Sequence, residues 1–262
     1  MTEHGKTDTG KSASHSAWDT SKNETRSENY PYLGPGKTAI RRPRTLPFPR
    51  GAQTGETVEH AINQKRRTLH HLPPDPECDA GTWLTAFFLA VSCRDENRVT
   101  SLCRITPAFR KEAREKRGGA YDEYVYPFIA ALQHFVLNQP TLGGNLLRTM
   151  DLSRPENSSV SSPENLDHLV FPAIDCFYRL AEQNTEKFDE AMEQGIRLFR
   201  TYYTANEERS KDTADAVPLR LLGVACMTYD LAQVVPGFNS DLESRYLPEY
   251  ILERPRYGEI EL

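Results

Sequence analysis

At 262 residues the chain is long enough for one large domain or two small ones, and its hydrophobic fraction of 38% is modest enough that part of it is expected to stay unfolded. The net charge of −5 is unevenly spread: residues 1–74 hold 12 Lys+Arg against 7 Asp+Glu, and residues 75–262 hold 20 against 30. The body is therefore acidic, which argues against a phosphate-binding surface and so against nucleic acid as a partner. An acid excess either aids solubility or meets a basic partner.

The five cysteines, Cys78, Cys93, Cys103, Cys176 and Cys226, are odd in number and form no C-x-x-C pair. The last four sit among apolar residues at helical positions, as small buried hydrophobes in a reducing compartment do. No charged-then-apolar leader opens the sequence, and the apolar run 83–91 is far short of the ~20 residues of a membrane span. A cytoplasmic protein with no membrane partner is expected.

Residues 1–53, rich in Ser, Thr, Gly, Lys and Pro, read as a disordered basic tail ahead of a single α-helical domain over 54–262. Gly36-Lys37-Thr38 imitates the end of a phosphate loop, but Pro31 stands where that loop needs glycine. Val58, Ile62, Leu69 and Leu72 predict a first helix over 54–72, stopped by Pro73, Pro74 and Pro76. His70 and His71 would lie ~100° apart on it and could not share a metal.

The central stretch is 81–105. Trp83, Phe87, Ala90 and Val91 share one side of a helix, and Leu84, Phe88 and Leu89 widen it until it is apolar nearly all round. A polar turn at 94–97 leads to a shorter helix with Val99, Leu102 and Cys103. Thr106 and Pro107 open a charged helix running to Arg117. A long helix is expected over 121–137, kinked or starting late at Pro127, then a return helix through Leu142, Leu146 and Met150. Ser162 caps and Pro163 opens the clearest hairpin, 163–203, which turns at 182–185 with Thr185 as second cap. Gly195 inside its second helix marks close approach by a neighbour. A further apolar helix over 216–232 and a short one over 241–252 complete an all-α, compact array of antiparallel helical hairpins.

Chemistry finds little purchase in this pattern. His134 and His168 stand alone on helices, and no H-E-x-x-H, paired E-x-x-H or G-x-S-x-G motif occurs. No catalytic residue, metal or cofactor is expected. Acidic pairs are frequent; Asp122-Glu123 fits a helix start and its dipole, while Glu207-Glu208, following a helix, fits that explanation less well.

Six segments in order resemble the immunity protein 49 family: 81–95 (GTWLTAFFLAVSCRD), 121–126 (YDEYVY), 171–178 (FPAIDCFY), 202–209 (YYTANEER), 225–230 (ACMTYD) and 246–248 (YLP). The likeness spans about 56–253 and leaves the tail outside. It implies a mostly α-helical bacterial immunity protein of a polymorphic toxin system. Its work would be stoichiometric binding of a cognate toxin encoded nearby, with no turnover. The acidic body favours a basic, nuclease-type toxin, with charge complementarity speeding capture. The expected docking face draws on Asp122, Glu123, Glu207, Glu208, Asp241 and Glu243, with Tyr126 and Tyr246 as aromatic anchors. Two other classes stay open: a helical scaffold with a peptide partner, and an enzyme whose acids converge only in the fold.

Overall fold

A file of aromatic rings in contact runs through the core of the molecule. Trp83 stacks on Phe87 at 5.0 Å between centroids, Phe87 meets Phe88 edge-on at 5.4 Å, and the file continues through Phe128 and Phe177 to Phe135. Phe87, Phe88, Phe128 and Phe177 are fully buried. Rings on three helices thereby tie distant stretches of sequence into one core.

The computed structural model describes residues 57–62, 65–70, 79–105, 119–212, 214, 217–238, 240 and 242–253. The expected tail over 1–53, the expected helix over 106–117, Cys78 and Asp241 lie outside the described residues. The helices are α1 (Ala80–Ser92), α2 (Glu96–Cys103), α3 (Val125–Val136), α4 (Leu142–Leu152), α5 (Phe171–Glu182), α6 (Thr185–Thr204), α7 (Glu207–Ser210), α8 (Leu219–Ala232) and α9 (Glu249–Leu252). One helical turn, Pro163–Asn165, and a π-helical segment, Leu166–Val170, lead into α5. Helix α1 packs against α2, α3 and α8, α3 against α4, and α5 against α6 and α8.

The all-α class holds for this body, and its departure is local. The expected first helix over 54–72 is instead an antiparallel pair, β1 (Thr57–Ile62) and β2 (Lys65–His70), in register Val58↔Leu69 and His60↔Arg67. Thr57, Val58, Ile62 and Thr68 are β-branched and suit a strand. Beyond this pair and an isolated bridge between Ser244 and Leu247, the elements among the described residues are helical.

Several local expectations hold. Pro127 is the third residue of α3, so the helix starts late without an interior proline. The Ser162 hydroxyl accepts from the Asn165 amide. A Cβ on Gly195 would lie 3.1 Å from Leu221 and 3.2 Å from Pro172, so α8 and the start of α5 do press on that helix. Others shift. The cap of α6 is Asn184, one residue before Thr185, because Asn184 accepts from Lys187 while Gln183 takes the left-handed turn at φ 54°. Leu89 is 49% exposed. Cys93 is exposed too, as the residue that ends α1 just before Arg94 takes the left-handed conformation at φ 54°. The final helix covers only Glu249–Leu252, since Pro248 disfavours helix in the residue before it.

Buried polar groups are paired. Asp79 caps α1 by accepting from Thr82 at 3.0 Å and also accepts the Tyr121 hydroxyl at 2.9 Å. Trp83 Nε1 donates to the Leu102 carbonyl, and Gln133 Nε2 donates to the carbonyls of Cys103 and Ile105, so the end of α2 is satisfied from two neighbouring helices.

Candidate functional site

The end of α6 carries a run of aromatics that continues outward from the core. Phe199 lies 4.8 Å from Tyr203, Tyr203 lies 5.1 Å from Tyr202, and Tyr246 meets Phe199 edge-on at 5.6 Å. Asn206 breaks the helix in an extended conformation and caps α7 by accepting from the Arg209 amide. That break sends Arg209 back over Tyr202, with its guanidinium carbon 4.0 Å from the ring centroid.

Arg209 is held on its other side as well. Both of its terminal nitrogens donate to the Glu164 carboxylate at 2.8 Å, a bidentate fork from α7 to the turn before the π segment. Hydrogen bonding to Arg209 keeps the Glu164 carboxyl below its ordinary range, and the same fork raises the Arg209 guanidinium. His168 completes the group: its ring lies 6.3 Å from Tyr202, and Nδ1 is 3.0 Å from the Glu164 carbonyl. A π segment widens the helix there, a feature frequent at functional positions.

This group borders a cleft of about 270 Å³ between α1, the π segment, the end of α6 and the start of α8. Buried Leu84, Phe88, Val170 and Leu221 form its floor, with half-buried His168, Tyr203 and Arg220 around it. The Tyr124 hydroxyl lies beside Arg220 and the Ser161 side chain; burial pushes it above its ordinary range although Arg220 opposes the shift.

Asp122 sits next to this arrangement and faces inward. It is buried, and it accepts the amides of Ser159, Val160 and Ser161 at 2.8, 2.9 and 2.8 Å. Burial alone would raise its carboxyl, but the Ser161 side chain and the three amides outweigh it and hold the group below the usual carboxylate range. Asp122 thus fixes the 159–161 loop and leaves Val160 exposed at its tip.

The expected docking residues fall into two groups. Glu207, Glu208 and Tyr246 lie on or beside the aromatic run, where Glu207 and Glu208 are exposed and Tyr246 is half-buried under Arg245. The two glutamates occupy the first turn of α7, so the dipole explanation that seemed poor from the sequence fits them. Glu207 also pairs with Lys211 at 2.6 Å. Glu243 is exposed two residues after Asp241, which lies outside the described residues. Asp122, Glu123 and Tyr126 belong to the other group, before and in the first turn of α3. Of these Glu123 is exposed, Tyr126 packs on the core, and Asp122 is consumed by the loop. Sequence reasoning missed Arg209, Glu164, His168 and Arg220. The spacing of Tyr202 and Arg209 held a partial signal, whereas nothing local pairs Arg209 with a residue 45 positions earlier.

The family model of immunity protein 49 matches residues 6–251. The chain belongs to the immunity protein 49 family. The match begins at residue 6, so most of the segment expected to lie outside the likeness falls within it. No curated protein and no solved structure matches the chain. In this immunity protein 49 member no helix among the described residues is long and apolar enough to cross a membrane, and no group of three or more His, Cys, Asp and Glu among them could hold a metal ion.

Proposed function

We propose that the chain neutralises a cognate bacterial toxin by stoichiometric binding, with no bond made or broken. Membership of an immunity family over nearly the whole chain carries this reading. The exposed end of α6 and α7 supports it: tyrosines and a clamped arginine are residue types that dominate binding energy at interfaces, and packing has already removed much of their conformational freedom. Glu207, Glu208, Glu243 and Tyr246 then contact the toxin, and Glu123 and Tyr126 stand at the edge of the contact. Asp122 acts from behind by holding the 159–161 loop. The acid excess of residues 75–262 favours a basic toxin of nuclease type, whose gene lies next to that of the immunity protein.

Co-expression tests this directly. A strain carrying the neighbouring toxin should grow when the chain is supplied and die without it. Death in both cases would remove the proposal.

A further inference from the structure

Arg220 is a cation with no carboxylate to hold. It sits half-buried on the cleft between α1, the π segment and α8, and among the described residues lining that cleft it is the only Lys, Arg, Asp or Glu. Arg94, Arg179 and Arg209 each grip a carboxylate, whereas no ion pair joins Arg220 to a described residue. Its neighbour is the buried Tyr124 hydroxyl, which accepts a hydrogen bond and brings no charge. The acids nearby are committed elsewhere. Asp122 gives both oxygens to the 159–161 amides, and Glu164 gives both to Arg209.

The placement of Arg220 adds to the imbalance. It stands in the first turn of α8, where the helix dipole disfavours a cation, and no acid shares that turn. The floor beside it, Leu84, Phe88, Val170 and Leu221, is buried and apolar, so a charge pair at its edge is weakly screened. The complement of this lining is a carboxylate on an apolar stem, able to accept two parallel guanidinium bonds while the stem covers the floor. The volume of about 270 Å³ lies below the ~300–1,000 Å³ of small-molecule sites and suits a side chain. Tyr203 both lines the cleft and belongs to the exposed aromatic run, so a protein meeting that run reaches the cleft as well.

We infer that the cleft receives one aspartate or glutamate side chain of the toxin, its carboxylate paired with Arg220 and its stem on the apolar floor. The inference rests on the proposed immunity function. It is compatible with a basic toxin, because net charge steers the approach of the whole protein while a single local pair fixes the register.

Calorimetric titration of the full chain with the toxin encoded beside it tests this. Arg220→Gln removes the charge, and Arg148→Gln is the control, an exposed arginine on α4 that does not line the cleft. Arg220→Gln should weaken binding at least ~10-fold, as loss of one partner from a desolvated charge pair does, and the control should match the wild type. A second arm needs no variant of this chain: the toxin's aspartates and glutamates are changed one at a time to the matching amide. One of these should lose at least ~10-fold against the wild type and nothing further against Arg220→Gln, the mark of direct coupling. Amide exchange over 217–221 should slow with wild-type toxin and less with that toxin variant. Binding kept within about twofold by Arg220→Gln and by every toxin amide variant would overturn the pair and leave the immunity reading intact. Tighter binding by Arg220→Gln would do the same, since a basic or neutral occupant gains when the cation is removed. Saturable binding of acetate or butyrate that needs Arg220, with toxin affinity unchanged, would overturn it in favour of a free carboxylate. Wild-type protein that does not bind the toxin would remove both readings.

Discussion

Arg94 Nε lies 3.0 Å from the Asp230 carboxylate across 136 residues of chain. The arginine side chain is only 9% exposed and also donates to the carbonyls of Ser92, Cys226, Ile251 and Leu252. One guanidinium therefore joins the turn after α1 to α8 and satisfies the end of α9, which no side chain of its own helix does. Arg94→Ala removes the ion pair between α8 and the turn after α1, together with the guanidinium bonds to the Ile251 and Leu252 carbonyls. It should destabilise the fold by about 2–4 kcal/mol in chemical denaturation, a value below that of a fully buried pair because Asp230 is 35% exposed. Amide exchange should rise first over 249–253.

Three glycines in helices should respond with opposite signs. A Cβ on Gly223 would lie 2.5 Å from the ring of Phe88, which is fully buried and cannot retreat. Gly223→Ala should cost about 1–3 kcal/mol as an overpacked core does. Gly195→Ala should cost less, since its nearest contacts are 3.1 Å or longer. Gly144 meets nothing within 4 Å inside α4, so Gly144→Ala should stabilise by about 0.5–1 kcal/mol through helix propensity. Thermal melts of the three variants check the order.

Asp122 predicts a pH dependence. Its folded carboxyl titrates below the ordinary value, so its stabilisation is present above the unfolded pKa of about 4 and is lost as pH falls through the lower folded value. Asp122→Asn removes charge-assisted bonds to three amides and should cost about 1–3 kcal/mol at pH 7. The gap between variant and wild type should narrow steadily below pH 4. A gap that stayed constant to pH 2 would contradict the hold of the Asp122 carboxylate on the 159–161 loop.

The cysteines should separate by reactivity. Exposed Cys93 should react with a thiol reagent in the native state, whereas Cys103, Cys176 and Cys226 are buried and should react only on unfolding. Burial pushes the Cys176 thiol well above its ordinary range and raises that of Cys226 despite nearby Arg94. In a Cys78→Ser background, one fast thiol and three slow ones are expected.

The legible parts of this fold were those where periodicity acts alone. The apolar faces of 81–92, 142–152 and 219–232 identify helices because each must be buried against others, and proline and serine mark where 163 begins. The error at 54–72 arose because Val58, Ile62, Leu69 and Leu72 also satisfy helical spacing, while strand pairing depends on a partner that spacing does not reveal. The site was legible only in part. Glu207, Glu208 and Tyr246 show as acid and aromatic positions in the sequence, but the bond from Arg209 to Glu164 and the inward turn of Asp122 are tertiary events. An acidic residue looks the same in sequence whether it meets solvent or three backbone amides.

The central claim is that the chain acts by occupying its toxin. Titrating it into a fixed amount of the toxin encoded beside it, while toxin activity is recorded, tests that claim most directly. Inhibition should fall on a straight line that reaches completion at one equivalent, with both proteins recovered unaltered. Complete inactivation at a small fraction of an equivalent, with the toxin or its product chemically changed, would contradict it.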